Sequence, residues 1–285
     1  MLYLFLSMIA GVVASIAYKA SAEMGCRRLY HLLVERSVIA VGLFGLGLVF
    51  GGMTITTDVV VLGLVAGLSL FASRWGLLKA LSTGHAGVTF TVWNLAVVVP
   101  VLLSIFLWDE VPSVPQVAGL VLVPACLLLM HERVDRSAPP KTGRAILTAL
   151  YPALLCATGE GILATCFKLV EVLGMSASRN IFLVLFNLVA LVGIASIVVA
   201  RGESHPRRKE YQFGLVSGLG FVGAGFFGIL AILEIPAIMY FPVVAAGVLV
   251  LTVLCSSFIW QEHTSPAQRW GIGLSVVAIM LVSLG

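Results

Sequence analysis

Few side chains in this sequence could do chemistry, and most of them are strung along apolar segments. One acid stands deep inside such a segment: Glu160, in "LLCATGEGILATC". A charge near the centre of a bilayer costs roughly 2.5–3.5 kcal/mol on insertion scales, so something normally offsets it. Glu160 therefore either lines a cavity as a cation or proton site, or is protonated and bonded to a neighbouring helix. Arg74 lies seven residues before the end of its apolar run. It reads as a contact for an anionic group on a solute path or as a donor to free carbonyls. Lys19 and Lys168 lie near the ends of their runs, where a long stem lets the ammonium snorkel to the interface. A contact to an anion or carboxylate on the path is the other reading. Glu35 and Arg36 lie about a turn inside the second run. Neighbours in a helix point about 100° apart, so this spacing alone does not pair them.

Aromatic and amide groups form a second set. "HAGVTFTVWNLAVVVP" places Trp93 and Asn94 in mid-run, with Thr89 and Phe90 one turn earlier. Membrane Trp is normally enriched at the interface instead. "IMYFPVV" offers Tyr240, Phe241 and Pro242. Pro100 and Pro242, inside their helices, each leave a carbonyl free. A kinked helix beside an aromatic ring and an amide suits a substrate cavity; ordinary core packing accounts for the same residues. Asn187 reads as an interhelical hydrogen bond or as a polar group of the cavity.

The elements that must carry these residues follow from composition. Hydrophobic residues make up 60% of the 285 and charged ones 11%, against about 25% charged in a soluble domain. A spanning helix needs about 20 apolar residues. Ten such runs occur, at 2–22, 30–51, 58–81, 86–107, 113–131, 145–170, 178–200, 212–233, 236–259 and 266–284. They are about twice the length of a barrel strand. The longest connections, "HERVDRSAPPKTG" and "RGESHPRRKEYQ", are too short to fold as domains. No nucleic-acid signature appears, and the net charge of +4 sits mostly in these loops. The first run ends in "ASA" but lacks the basic start of a signal peptide, so it reads as a retained helix. The five Cys show no metal-ligand spacing and are assigned no chemistry. No metal or cofactor is expected. No HExxH or GxSxG occurs, and no His lies near the middle of a run. Enzyme activity is not expected.

The chain is written twice. "WDEVPSVPQVAG" (108–119) returns as "WQEHTSPAQRWG" (260–271), "GLVAGL" (63–68) as "GLVSGL" (214–219), and "AYKASAEMG" (17–25) as "CFKLVEVLG" (166–174). Gly42 pairs with Gly193. The expected organisation is an all-α membrane protein of ten transmembrane helices: a five-helix repeat over 1–131, a linker at 132–143 and a second five-helix repeat over 144–285. Five crossings per half invert the second half relative to the first, the architecture of secondary transporters. Glu160 falls opposite Gly11 and Arg74 opposite Gly225, so duplication explains neither charge. The repeated acids Glu110 and Glu262 read as construction. They precede helix N-termini, where negative charge is favoured, and Ser113 with Gln116 and Ser265 with Gln268 read as capping boxes. Gly63/Gly67 and Gly214/Gly218 read as close-packing pairs.

A Glu after the fourth helix of each half, a Gln six residues on and a Gly three beyond that resemble the EamA-type pattern of the drug/metabolite transporter superfamily. The helix number, the duplication and the length resemble it too. Relatives often carry a basic residue after the Glu; Val111 and His263 stand there instead. The resemblance implies a carrier for small metabolites, amino acids or drug-like solutes. It also implies a cavity lined by the first, third, fourth, sixth, eighth and ninth helices, which adds weight to Glu160, Trp93, Asn94 and Tyr240. The expected function is secondary active or exchange transport by alternating access in a bacterial plasma (inner) membrane. The expected partners are a small-molecule substrate, a coupling proton or cation and the lipid bilayer, with no nucleic acid; the chain is expected as a monomer or homodimer. A lipid or lipid-linked-sugar translocator, or a non-transporting membrane subunit, is the alternative. Lys and Arg gather around 23–29, 82–85, 131–144, 201–211 and 260–265, against only Lys168 and Arg179 on the other side. The positive-inside rule then puts both termini outside the cytoplasm.

Overall fold

The structure is a computed structural model, and it describes residues 1–82, 95–130, 143–202, 205–261 and 265–283. Among these the regular elements are helices: α1 (Leu2–Glu23), α2 (Arg28–Phe50), α3 (Thr57–Ser82), α4 (Val98–Leu107), α5 (Val114–Met130), α6 (Gly143–Val172), α7 (Arg179–Arg201), α8 (Arg208–Ile232), α9 (Ala237–Ile259) and α10 (Pro266–Ser283). Apart from the start of α4, whose run is expected from residue 86 and is described only from Leu95, their bounds follow the apolar runs to within a few residues, because in a bilayer every backbone polar group must be paired inside its own segment. Seven of the described helices are long and apolar enough to cross a membrane. Phe258 is 88% exposed, and Phe106, Val49 and Val199 are exposed too. Such outward apolar side chains are what a surface facing lipid requires. The protein is an all-helical, multi-pass membrane protein.

Two compact units make up the chain, one of Met1–Phe71 with Cys166–Ile235, the other of Ala72–Thr165 with Pro236–Gly285. Each takes segments from both sequence halves, and the division falls within α3 and α6. In the first unit, glycines set the helix approaches. A Cβ on Gly63 or Gly67 of α3 would lie 2.8 Å from Leu185 or 2.5 Å from Val189 of α7, and Gly193 of α7 meets Phe71. On α8, Gly214 and Gly218 meet Val34 and Val38 of α2, while Gly42 of α2 meets Val222. Both series climb by four residues on each helix, so each pair runs parallel. Each contact of the second series repeats one of the first at a separation of 151 residues, the same as that between the bonded pair Arg36 and Asn187. Between α1 and α8 the order is reversed. Ser7 donates to the Ala224 carbonyl, and Gly220 meets Ala10 and Ala14, so these two helices are antiparallel.

In the second unit, Gly119 of α5 packs on Ala278 and Val282 of α10, and Gln116 Nε2 donates to the Val282 carbonyl at 3.3 Å. Here too the helices are antiparallel. The repeated polar motif forms one turn twice. Trp108 N–H donates to the Ser104 carbonyl and Trp260 N–H to the Ser256 carbonyl. The next residues, Asp109 and Gln261, both have φ of 52°. Ser113 N–H donates to Gln116 Oε1 at 2.9 Å, half of the expected capping box. Glu110 does something local reading does not reveal. Its carboxylate accepts from Ala237 N–H and Ile238 N–H at 3.3 and 3.1 Å. It caps the first turn of α9, far off in sequence. Negative charge at that end is favoured by the helix dipole. Glu262 lies outside the described residues.

Candidate functional site

Polar groups gather at one place in each unit. In the second unit the site forms where α3 and α6 come closest. A Cβ on Gly76 would lie 2.6 Å from the Pro152 carbonyl and 2.8 Å from Cys156 N, so only glycine lets the backbones approach this far. One turn back along α3 are Ser73 and Arg74; one turn forward along α6 is Glu160. The helices are antiparallel here, which brings the three together. Arg74 Nη2 lies 3.0 Å from Glu160 Oε1, and Ser73 Oγ donates to the same oxygen at 2.9 Å. Ser73 Oγ also lies 3.6 Å from Cys156 Sγ. Arg74 and Glu160, two intramembrane charges that duplication does not explain, are thus partners. Glu160 of α6 is bonded to the neighbouring helix α3 through both Arg74 and Ser73. The pair is not sealed: the side chains keep 11% and 19% of their surface.

In the first unit the site is built by α1, α2, α7 and α8, and it is sealed. Glu35 is fully buried, and His31, Arg36 and Asn187 are nearly so. Arg36 Nη2 donates to Glu35 Oε1 at 2.8 Å, and Arg36 Nη1 donates to Asn187 Oδ1 at 2.9 Å. Asn187 Nδ2 donates back to the Leu183 carbonyl. On the other side of the carboxylate, His31 Nε2 lies 3.5 Å from Glu35 Oε2 and 3.0 Å from Ser217 Oγ. Tyr18 packs edge-on against the imidazole, ring centres 4.6 Å apart. Gly214 and Gly218 bring α8 against the His31 and Glu35 carbonyls, which sets Ser217 in reach of the ring.

Set against the sequence expectations, the structure brings Glu160 and Arg74 together and assigns Asn187 to an interhelical hydrogen bond. Glu35 and Arg36 do pair. The 100° between their Cβ directions is real, but the guanidinium stem is long enough to turn back onto its neighbour. Lys168 does not snorkel: it is buried and pairs with Glu171 one turn along α6. Lys19 is partly buried near the end of α1. Tyr240 is buried in the first turn of α9, its ring edge-on to Phe241 at 5.2 Å. Trp93 and Asn94 lie outside the described residues. Sequence reasoning missed His31, which stands near the start of its run and so looks interfacial; α1 and α8 cover it. The i, i+4 spacing of His31 and Glu35 was the available signal. Among the described residues, no cluster of His, Cys, Asp and Glu could hold a metal ion.

No family model matches the chain, and no curated protein matches it. A protein of known crystal structure shares the fold with a TM-score of 0.81 at 16% identity, the match covering 99% of this chain and 98% of that one.

Proposed function

We propose that this protein is a carrier of the bacterial inner membrane, with ten spans in two inverted five-helix repeats, moving a small metabolite, amino acid or drug-like solute by alternating access. The observation that carries the reading is the Arg74–Glu160 pair. It is intramembrane, incompletely buried and unique to one half. Such groups in membrane segments mark solute or ion paths more often than they serve stability. A solute carboxylate competes with Glu160 for the guanidinium, and a solute ammonium competes with Arg74 for the carboxylate. An amino-acid-like zwitterion engages both.

Helix directions support the ten crossings. Partners an odd number of helices apart, α1 with α8, α3 with α6 and α5 with α10, run antiparallel. Those an even number apart, α2 with α8 and α3 with α7, run parallel. That alternation is what one crossing per helix gives. The duplicated glycine contacts and the twin turns at Asp109 and Gln261 support the repeat. The resemblance to EamA-type transporters agrees with both. Enzyme chemistry has no equivalent support.

The test is counterflow of radiolabelled amino acids into liposomes holding the purified chain. Glu160→Gln is expected to cut the rate by about tenfold or more, the factor that ~1.4 kcal/mol of lost binding gives. Wild-type rates in that variant would sink the role of the pair. Orientation has its own check. A fluorescent reporter fused after Gly285 is expected to stay dark if both termini lie outside the cytoplasm, and a bright one would reverse the assignment.

A further inference from the structure

The Arg74–Glu160 pair engages only one oxygen of its carboxylate. A carboxylate offers about four lone-pair positions, shared between two oxygens. Here both neighbours use the same oxygen. Arg74 Nη2 lies 3.0 Å from Oε1, and Ser73 Oγ donates to Oε1 at 2.9 Å. Ser73 is itself fully buried, and its Oγ also meets Cys156 Sγ, one turn before Glu160 on α6, at 3.6 Å. Glu160 Oε2 accepts no hydrogen bond among the described residues, yet it is not one of the sealed polar atoms. The Glu160 side chain keeps 19% of its surface. The carboxylate is clamped by one oxygen and presents the other.

That oxygen is presented on the inner side of α6. At about 100° per residue, Tyr151, Leu154, Thr158 and Ile162 fall on the far side of the helix from Glu160, and all four are exposed. On the Glu160 side, Ala153, Cys156 and Ala157 are buried. The next turn on that side, Leu163 and Ala164, is half-buried. Gly161 brings α4 alongside, since a Cβ there would lie 2.8 Å from Val99. The open oxygen thus adjoins small apolar surface, and the outward apolar stripe of α6 is turned away from it.

We propose that Glu160 Oε2 is the docking atom for a primary ammonium group, and that the solutes carried are amines with an apolar stem. This deepens the carrier reading above and rests on it for the transport that follows binding. An acceptor left unmet away from bulk water is costly, and an N–H donor meets it. Hydrogen bonds between ionised partners are the stronger kind. No covalent bond changes. The ammonium joins Oε2 while Arg74 and Ser73 keep Oε1, so binding breaks no contact already made. A solute carboxylate is at a disadvantage. It reaches the guanidinium only by displacing Glu160, and it then faces the displaced negative charge. A quaternary nitrogen has no hydrogen to give and leaves Oε2 unmet. Leu163, Ala164 and Val99 suit a short alkyl stem.

Calorimetric titration of the full chain in nonionic detergent micelles tests this, with n-butylammonium, n-butyltrimethylammonium and butanoate as the probes. Saturable binding of n-butylammonium is expected, and the other two are expected to bind more weakly by about tenfold or more, the loss of one hydrogen bond to a charged group. Equal or tighter binding of either, or no binding of n-butylammonium, overturns the proposal. Glu160→Gln is expected to weaken n-butylammonium by a similar factor, and an unchanged affinity overturns the proposal. If Glu160→Gln does not fold, Glu160→Asp takes its place. It keeps the charge, draws the carboxylate back by one methylene, and is expected to show the same loss. The two readings fail separately. Binding as expected, with no counterflow of any amine or amino acid, defeats the carrier reading and leaves the amine site standing. Counterflow that butanoate inhibits and n-butylammonium does not defeats the amine site and leaves the carrier reading standing.

Discussion

The cluster on α2 has a counterpart in the same unit, and the two differ in nearly everything but backbone. At the repeat separation, Tyr18 corresponds to Phe167, His31 to Phe182, Glu35 to Phe186 and Ser217 to Ala66. The ring pairs keep their geometry. Tyr18 and His31 meet edge-on at 4.6 Å, and Phe167 and Phe182 at 5.5 Å. The glycine approaches that hold α8 to α2 and α3 to α7 are the same contacts in the same register. One copy fills its interior with three phenylalanines. The other encloses a carboxylate, a guanidinium and an imidazole. A scaffold that closes equally well over phenylalanine has no structural need of charge. The polar version therefore reads as retained for use, since a buried ion pair is seldom more stable than well-packed apolar residues of similar volume.

The sharpest way to break the comparison is to leave one charge alone. Glu35→Ala strands the Arg36 guanidinium in a sealed site and is expected to cost about 3–5 kcal/mol, read as a large fall in thermal midpoint in detergent. Installing the residues of the apolar copy together, Glu35→Phe with Arg36→Asn and His31→Phe, is expected to cost much less than Glu35→Ala alone. Equal losses would mean that the charges do build the fold.

Glycine substitutions come next in size and probe what the copies share. Gly67→Val and Gly218→Val each drive side-chain atoms into a facing helix, at an expected cost of about 1–3 kcal/mol. The loss should be greater at Gly67, where the added Cβ would lie 2.5 Å from Val189 Cβ and 2.9 Å from the Phe186 carbonyl, against 2.7 and 3.1 Å for the matching atoms at Gly218. No loss at either site would remove the glycine register as the common scaffold.

The smallest effect is expected at Gly225, which stands opposite Arg74 in the repeat. A Cβ there meets nothing within 4 Å. Gly225→Ala should leave packing intact and gain up to about 0.5–1 kcal/mol from helix propensity. A clear destabilisation in the same thermal assay would show that the position is engaged in some other way.

The described helices and most of their ends were legible in the sequence because bilayer thickness and backbone pairing leave few choices. Gly63, Gly67, Gly214 and Gly218 were legible as close contacts, and Glu160 as an acid needing a partner. That the partner is Arg74 was not, since the pairing depends on how Gly76 seats α3 on α6. The Glu35–Arg36 pair was hidden by reasoning from Cβ direction alone. His31 was hidden by its place near a helix start, since only the docking of α1 and α8 shows that this end is covered. Glu110 was read against its nearest helix. The bond it makes spans 127 residues to Ala237, and local periodicity carries no information at that range.

The Arg36–Asn187 hydrogen bond joins residues 151 apart, the separation at which the glycine contacts recur. Suppose the halves descend from one shorter polypeptide that assembled with an inverted copy of itself. A residue at this position then faced its own duplicate across the two-fold, and whatever it was, it had to be compatible with itself. Two asparagines can bond each other there; two guanidiniums would repel. The charged cluster could arise only after the two copies were joined in one chain and free to diverge. Fusion, on that history, supplied the asymmetry that the charged cluster embodies.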